Sequence, residues 1–236
     1  DGYLHVLSPN LDKVFNIKLN FTSIGSLHLL PNKKILIIGH SAAETYDPIT
    51  KSFTAKLLVT KGTKYSKMVY LPFQQYVAFY GNDIPIDFYD ISTGEKVGSI
   101  PGKRADDAVI PSQTSAEILV HNLGTLEGFY NLDLYSTETF KLAEKLANVN
   151  SKKYHQIETG YFDGKNKYLF SSSYNQINKY DLKIKKGIGF EGYAASLGMD
   201  VFNSIQYHSA TGRLHLNTND VNLKSVDLYR MVPIAH

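Results

Sequence analysis

Three features of the sequence together predict an all-β fold, a β-propeller of four-stranded antiparallel blades. First, a tyrosine followed by a polar residue returns as Tyr46-Asp47, Tyr89-Asp90, Tyr135-Ser136, Tyr180-Asp181 and Tyr229-Arg230, at steps of 43, 46, 45 and 49 residues. A strand-built period of roughly 40–50 residues is the length of a propeller blade. Second, each period holds short runs of β-branched and aromatic residues in the same internal order. Third, the runs are separated by residues that supply left-handed backbone or Asx-type turns.

The elements can be read in chain order. Residues 3–8 and 13–19 read as a third and a fourth strand with no first or second before them. In the next repeat, 34–40, 44–48 and 53–59 take the second, third and fourth places. The clearest repeat has runs at 67–71, 75–80, 86–91 and 96–100, broken by Pro72, Gly81-Asn82-Asp83 and Ser92-Thr93-Gly94. Residues 107–110 open the following repeat, and 117–122, 132–135 and 141–146 continue it. The last of these also fits a short helix through Phe140, Leu142, Ala143 and Leu146, and periodicity over so few residues does not separate the two. Residues 156–159, 168–171, 177–181 and 187–190 give the next repeat, and a final third strand ends near Tyr229.

Residues 86–97 resemble the passage from third to fourth strand in WD-repeat and YVTN-type propellers, with Tyr89 where the WD family carries tryptophan. Residues 46–50 are similar to the same turn of kelch-like propellers. The resemblance extends over almost the whole chain, although the absence of tryptophan removes every WD dipeptide. Its one Gly-His pair, Gly39-His40, ends a second strand instead of preceding a first. The resemblance implies an architecture at the level of the superfamily and carries over no partner or reaction.

One meander cannot bury both of its faces, so the expectation is that each sheet stacks on the next. Each fully buried Leu, Ile or Phe contributes about 1.5–3 kcal/mol. The repeat tyrosines suit such interfaces, with the ring between sheets and the hydroxyl at a polar neighbour. The favoured count is five blades, with an N-terminal strand completing the C-terminal blade so that no edge is left open. Six blades, or part of a seven-bladed ring, is the alternative if Asp1 begins a fragment or module of a longer chain. The 236 residues read as a single domain, 43% hydrophobic and 20% charged, with no linker or low-complexity tract.

Composition excludes several functions. Zero cysteines rule out disulfides, thiolate metal sites and thiol nucleophiles, and lean towards a bacterial or extracytoplasmic setting. No apolar stretch reaches the length of a membrane span. A net charge of +3, with Lys33-Lys34, Lys152-Lys153 and Lys185-Lys186 at turns, offers no basic stripe for nucleic acid. No glycine-rich phosphate loop, His-Glu-x-x-His helix or Gly-x-Ser-x-Gly elbow is present, so no cofactor and no resident metal is expected. The sequence sets no oligomeric state.

Function is therefore expected on the connections, because loops on a rigid scaffold carry recognition. Those joining second to third strands are polar: His40 and Ser41, Asn82 and Asp83, His121 and Asn122, Tyr174 and Asn175, Asn219 and Asp220. The expectation is one ring-shaped face that recognises a protein or an extended ligand without catalysis, set against the plainer reading that such residues simply make turns. Three rivals stand beside it. His40 and His121 with Asp83 could hold a transition metal. Asp106, Asp107 and Glu158, near the expected channel, could serve a glycosidase or lyase. The domain could also be a purely structural assembly module.

Overall fold

The computed structural model describes residues 3–7, 13–19, 24–39, 42–58, 67–81, 84–101, 108–123, 129–150, 159–173, 176–183, 193–196, 202–208, 213–218, 224–227 and 233–234. Every regular element among them is a strand, and the strands form six antiparallel sheets in chain order. The first sheet pairs β1 (Tyr3–Leu7) with β2 (Lys13–Lys18). The second is β3 (Ile24–Leu29), β4 (Ile35–Gly39), β5 (Ala42–Asp47) and β6 (Ser52–Leu58). The third is β7 (Lys67–Leu71), β8 (Tyr76–Tyr80), β9 (Ile86–Asp90) and β10 (Lys96–Ile100). The fourth is β11 (Ala108–Pro111), β12 (Glu117–Leu123), β13 (Phe129–Ser136) and β14 (Leu142–Asn150). The fifth is β15 (Thr159–Asp163), β16 (Tyr168–Ser173), β17 (Gln176–Asp181) and β18 (Tyr193–Ser196). The sixth is β19 (Phe202–His208), β20 (Arg213–Thr218), β21 (Lys224–Asp227) and β22 (Pro233–Ile234). Each four-stranded sheet is a simple meander, an arrangement compatible with a propeller.

The third sheet matches its sequence reading closely, the segment at 141–146 takes the fourth-strand place read for it, and one expectation needs correction. The segment that also fitted a helix is a strand, β14, because it pairs along β13 from Tyr135 to Phe129. In the fifth sheet β18 pairs with β17, and residues 187–190, read from the sequence as its fourth strand, lie outside the described residues. The C-terminal sheet carries its own fourth strand, β22 on β21, while β1 pairs with β2; among the described residues the expected completion of that sheet by an N-terminal strand does not occur.

After the first four repeat tyrosines the polar residue has a local cause, and Arg230, after the fifth, lies outside the described residues. Asp47 Oδ1 accepts from the backbone of Ile49 at 2.8 Å, and Asp90 Oδ1 from Ser92 and Thr93 at 2.7 and 3.0 Å. Ser136 Oγ accepts from Glu138 at 3.2 Å and Asp181 Oδ1 from Lys183 at 2.9 Å. These Asx and Ser turns launch the fourth strand. Most turns end on a left-handed residue: Lys33, Lys51, Gln75, Gly94, Phe140 and Lys167 all have φ between 55° and 74°. Such backbone is costly for a bulky side chain, and at Phe140 packing offsets it. The ring lies 5.1 Å from that of Phe88 and covers Gly98, where a Cβ would come within 2.1 Å of it.

Side chains alternate along a strand, so an interior sheet has two packed faces. Leu36 and Ile38 of β4 share a core with Val77, Phe79 and Tyr89 of the third sheet. Ile37 and Tyr46 point the other way, to Ile17 and Leu19, with Leu4, Val6 and Phe15 of the first sheet at its margin. Ala78, Tyr80, Ile86 and Phe88 meet Val109, Ile118, Val120 and Tyr135. Ile110, Leu119, Leu132 and Leu134 meet Phe162, Leu169 and Leu182. Tyr46, Tyr89 and Tyr135 each lie in the core shared with the preceding sheet, so the repeat tyrosine is a wedge directed backwards along the chain. First strands also approach one another in succession: β7 lies by β11, β11 by β15, and β15 by β19.

Candidate functional site

Antiparallel meanders separate their connections into two ends. The turns from first to second and from third to fourth strands gather at one end, and the loops from second to third strands leave at the other. Of the expected loop-face residues, His40, Ser41, Asn82, Asp83, Tyr174, Asn175, Asn219 and Asp220 lie outside the described residues, as do Asp106, Asp107 and Glu158 of the enzymatic alternative. His121 and Asn122 are within β12, which runs on to Leu123.

His121 is placed as a core residue, 2% exposed. It pairs with Ala108 on one side and Leu132 on the other, and so shares the face of the fourth sheet that looks towards the fifth. Burial pulls its pKa down to about 4, which keeps the imidazole neutral at ordinary pH. At the corresponding place in the third sheet, Tyr80 is also buried, and desolvation pushes its pKa up to about 12 against the lowering effect of a backbone hydrogen bond at Val109. Counted from the strand position opposite the repeat tyrosine, Ile38, Tyr80 and His121 are equivalent. One structural position therefore grades from aliphatic to phenol to imidazole along the stack. Among the described residues no group of three His, Asp or Glu could hold a metal ion.

The most extensive polar constellation among the described residues is at the opposite, turn end, between the fourth and fifth sheets. Ser112, 1% exposed, accepts at Oγ from the backbone N–H of Thr114, Ser115 and Gly164, at 3.1, 3.0 and 3.1 Å. Thr114 Oγ1 donates to Asp163 Oδ1 at 2.8 Å and accepts from Lys165 N at 3.0 Å. Lys167 Nζ binds both Glu117 oxygens at 2.5 Å, and Ser115 Oγ donates to Glu117 Oε2 at 2.8 Å. Ser112 also makes a parallel bridge with Phe162. Gly164 is required by this approach, since a Cβ there would sit 1.9 Å from Ser115 Oγ and 2.6 Å from Ser112 Oγ. Burial of Asp163 would raise its pKa, but the side chain and backbone of Asn166, Thr114 and the backbone of Lys165 donate to it and together hold it below the usual carboxylate range. With its hydroxyls and carboxylates engaged on one another, this cluster is a clasp between sheets.

A second recurrent polar position escaped the sequence reading. Glu44, Asp87 and Asp133 each stand two residues before a repeat tyrosine and are 1, 7 and 3% exposed. Asp87 Oδ1 accepts from Ser99 Oγ at 2.6 Å and lies 2.8 Å from Lys96 Nζ. Across the ladder, Glu44 is opposite Lys56 and Asp133 opposite Lys145. The signal was present in the sequence as an acidic residue inside each apolar third strand, with Asn178 and Asp227 in the same place.

No protein-family model matches the chain, and no curated protein matches it.

Proposed function

We propose that the six sheets are the blades of a propeller and that it is a non-enzymatic binding module, recognising a protein or an extended ligand on the face formed by the loops from second to third strands. The observation that carries the reading is the succession of close first-strand contacts, β7 to β11 to β15 to β19, together with the parallel bridge between Ser112 and Phe162. First strands that converge side by side give the loops a common end. Support for a ligand-binding role at that end comes from the polarity of Asn82, Asp83, Tyr174 and Asn175. The clasp and the Asx turns meanwhile engage Ser112, Asp163, Asp47, Asp90 and Asp181 of the opposite end in holding the fold.

The test compares the wild-type chain with a variant carrying Asn82→Ala, Asp83→Ala, Tyr174→Ala and Asn175→Ala in pull-downs from cells of the source organism. A partner retained by the wild type and lost by an equally stable variant supports the reading. A partner held equally by both contradicts it.

A further inference from the structure

The fourth sheet reaches further towards the loop end than its neighbours. Counted from the strand position opposite the repeat tyrosine, the pairing of second with third strand in the third sheet ends at Phe79 and Asp87. In the fourth sheet the same row is Val120 with Asp133, and three more follow it: His121 with Leu132, Asn122 with Asn131, and Leu123 with Tyr130. The second sheet has one further row, Ile38 with Ala43, and the fifth has two, ending at Ser173 with Gln176. β14 follows β13 outwards to the same height, pairing Asn148 with Asn131 and Asn150 with Phe129. At about 3.4 Å per residue, the extra rows carry the fourth sheet about 10 Å past the last paired row of the third.

Register gives this extension two unlike faces. Ile118, Val120 and Tyr135 pack towards the third sheet, and strand alternation sets Asn122 of β12, Asn131 and Phe129 of β13, and Asn148 and Asn150 of β14 on that same side. Asn122, Asn131 and Asn148 form one row across three strands. Leu123, Tyr130 and Val149 form the next row, on the side of the fifth sheet. Asparagine is depleted in strands, so strand propensity does not account for a row of three. No Asp, Glu, Lys or Arg occurs at 121–123, 129–132 or 147–150.

Chemistry and spacing together select a ligand for the row. A side-chain amide has two donors, a carbonyl acceptor and no charge. It suits hydroxyl groups, each both donor and acceptor, better than phosphate or carboxylate. Neighbouring strands are about 4.8 Å apart, comparable to one pyranose unit, so a linear glycan laid across β12, β13 and β14 meets one amide per sugar. An extended peptide advances about 3.3 Å per residue and falls out of step with the same row. Phe129 adds an aromatic residue of the kind against which the C–H face of a pyranose packs. We infer that the row of Asn122, Asn131 and Asn148 binds a linear, uncharged glycan, with one sugar unit at each amide and Phe129 beside them. This names a ligand class for the loop end and rests on the reading of that end as a binding surface.

The full chain is tested on an array of cellulose, amylose, mannan and chitin oligomers of two to six units, with calorimetric titration of the series that binds. The expected result is saturable binding of at least one series, with affinity rising from the disaccharide to the trisaccharide and levelling beyond it. Asn131→Leu, at the centre of the row, should weaken binding by at least about tenfold, and Asn122→Leu and Asn148→Leu should each weaken it less. Asn16→Leu, at an exposed position of β2, should leave it unchanged. Melting temperatures separate lost contact from lost fold, and where Asn131→Leu lowers its own, the two outer substitutions decide. A blank array, binding indifferent to the row substitutions or to oligomer length, or preference for sulfated or uronic acid glycans would overturn the inference. A blank array beside a protein partner lost from the Asn82, Asp83, Tyr174 and Asn175 variant overturns the glycan alone and leaves the loop-face reading standing. A glycan bound through Asn131 beside a protein partner held equally by that variant supports the inference and contradicts those loop residues.

Discussion

Two successive interfaces, between the third and fourth sheets and between the fourth and fifth, are made from the same repeat by different chemistry. The former is largely apolar: Leu71, Ile86, Phe88 and Ile100 against Val109, Ile118 and Tyr135, with Phe140 laid over Gly98 and the buried Tyr80 hydrogen-bonded at the Val109 backbone. At its turn end Gln74 donates to Thr137. The latter has a smaller apolar set around Phe162 and Leu169, carries buried His121 on its face, and is closed by the clasp of Ser112, Thr114, Glu117, Asp163 and Lys167. Burial area alone is non-directional. Hydrogen bonds to buried groups add direction, and with it sensitivity to pH and to single-atom changes. The repeat fixes where sheets meet but leaves open how each pair is held.

Truncation should separate the two most strongly. Phe88, fully buried in the apolar interface, should cost about 3–5 kcal/mol as Phe88→Ala by urea unfolding. A loss below about 1 kcal/mol would mean that the third and fourth sheets do not share a core.

Acid should act mainly on the polar interface. His121 is near pKa 4 when folded against an ordinary value of 6.5. The unfolded chain therefore binds the proton first: stability from this group is complete above about pH 6.5 and falls as pH drops towards 4, by on the order of 2–3 kcal/mol. Half-buried His28, also lowered by desolvation, adds a smaller slope of the same sign. His121→Leu should flatten most of the change in melting temperature between pH 7 and 4.5; an unaltered profile would remove His121 from the core. Asp163 acts at lower pH. Its folded pKa is below the ordinary 3.8, so its contribution persists above that value and is lost only under stronger acid, a step that Asp163→Asn should erase.

Ser112→Ala leaves the N–H groups of Thr114, Ser115 and Gly164 without their shared acceptor, and about 1–3 kcal/mol should be lost. The smallest effect is expected at a turn outside both interfaces. Lys33 is exposed with φ 63°, and Lys33→Gly should gain up to about 1 kcal/mol, read as a small rise in melting temperature.

The apolar interface is also the more legible one in the sequence. Its strands announce themselves through the near-continuous apolar and aromatic runs of the third sheet, because a strand buried on both faces is a short apolar run bounded by turn residues. The clasp does not: Ser112 and Gly164 are 52 positions apart, and each alone reads as an ordinary turn former. His121 was expected at a loop because polar residues follow it, whereas its pairing with Leu132 takes it inside. The acidic residues before the repeat tyrosines were overlooked for the opposite reason, since a single polar residue in an apolar run looks like noise until several repeats are superposed. Most of the proposed loop face lies outside the described residues, so its residues are known from sequence alone.

The central claim, that successive sheets stack through first strands running side by side, can be tested by cross-linking in this cysteine-free chain. Ser112→Cys and Gly164→Cys, with Ser115→Ala to clear the neighbouring hydroxyl, place two thiols where a Cβ at 164 lies 2.6 Å from the Ser112 hydroxyl oxygen. Mild oxidation of the folded protein should give an intramolecular disulfide in near-complete yield, detected by intact mass and non-reducing electrophoresis. A folded protein that keeps both thiols reduced, or links only between molecules, would contradict the stacking of the fourth sheet on the fifth.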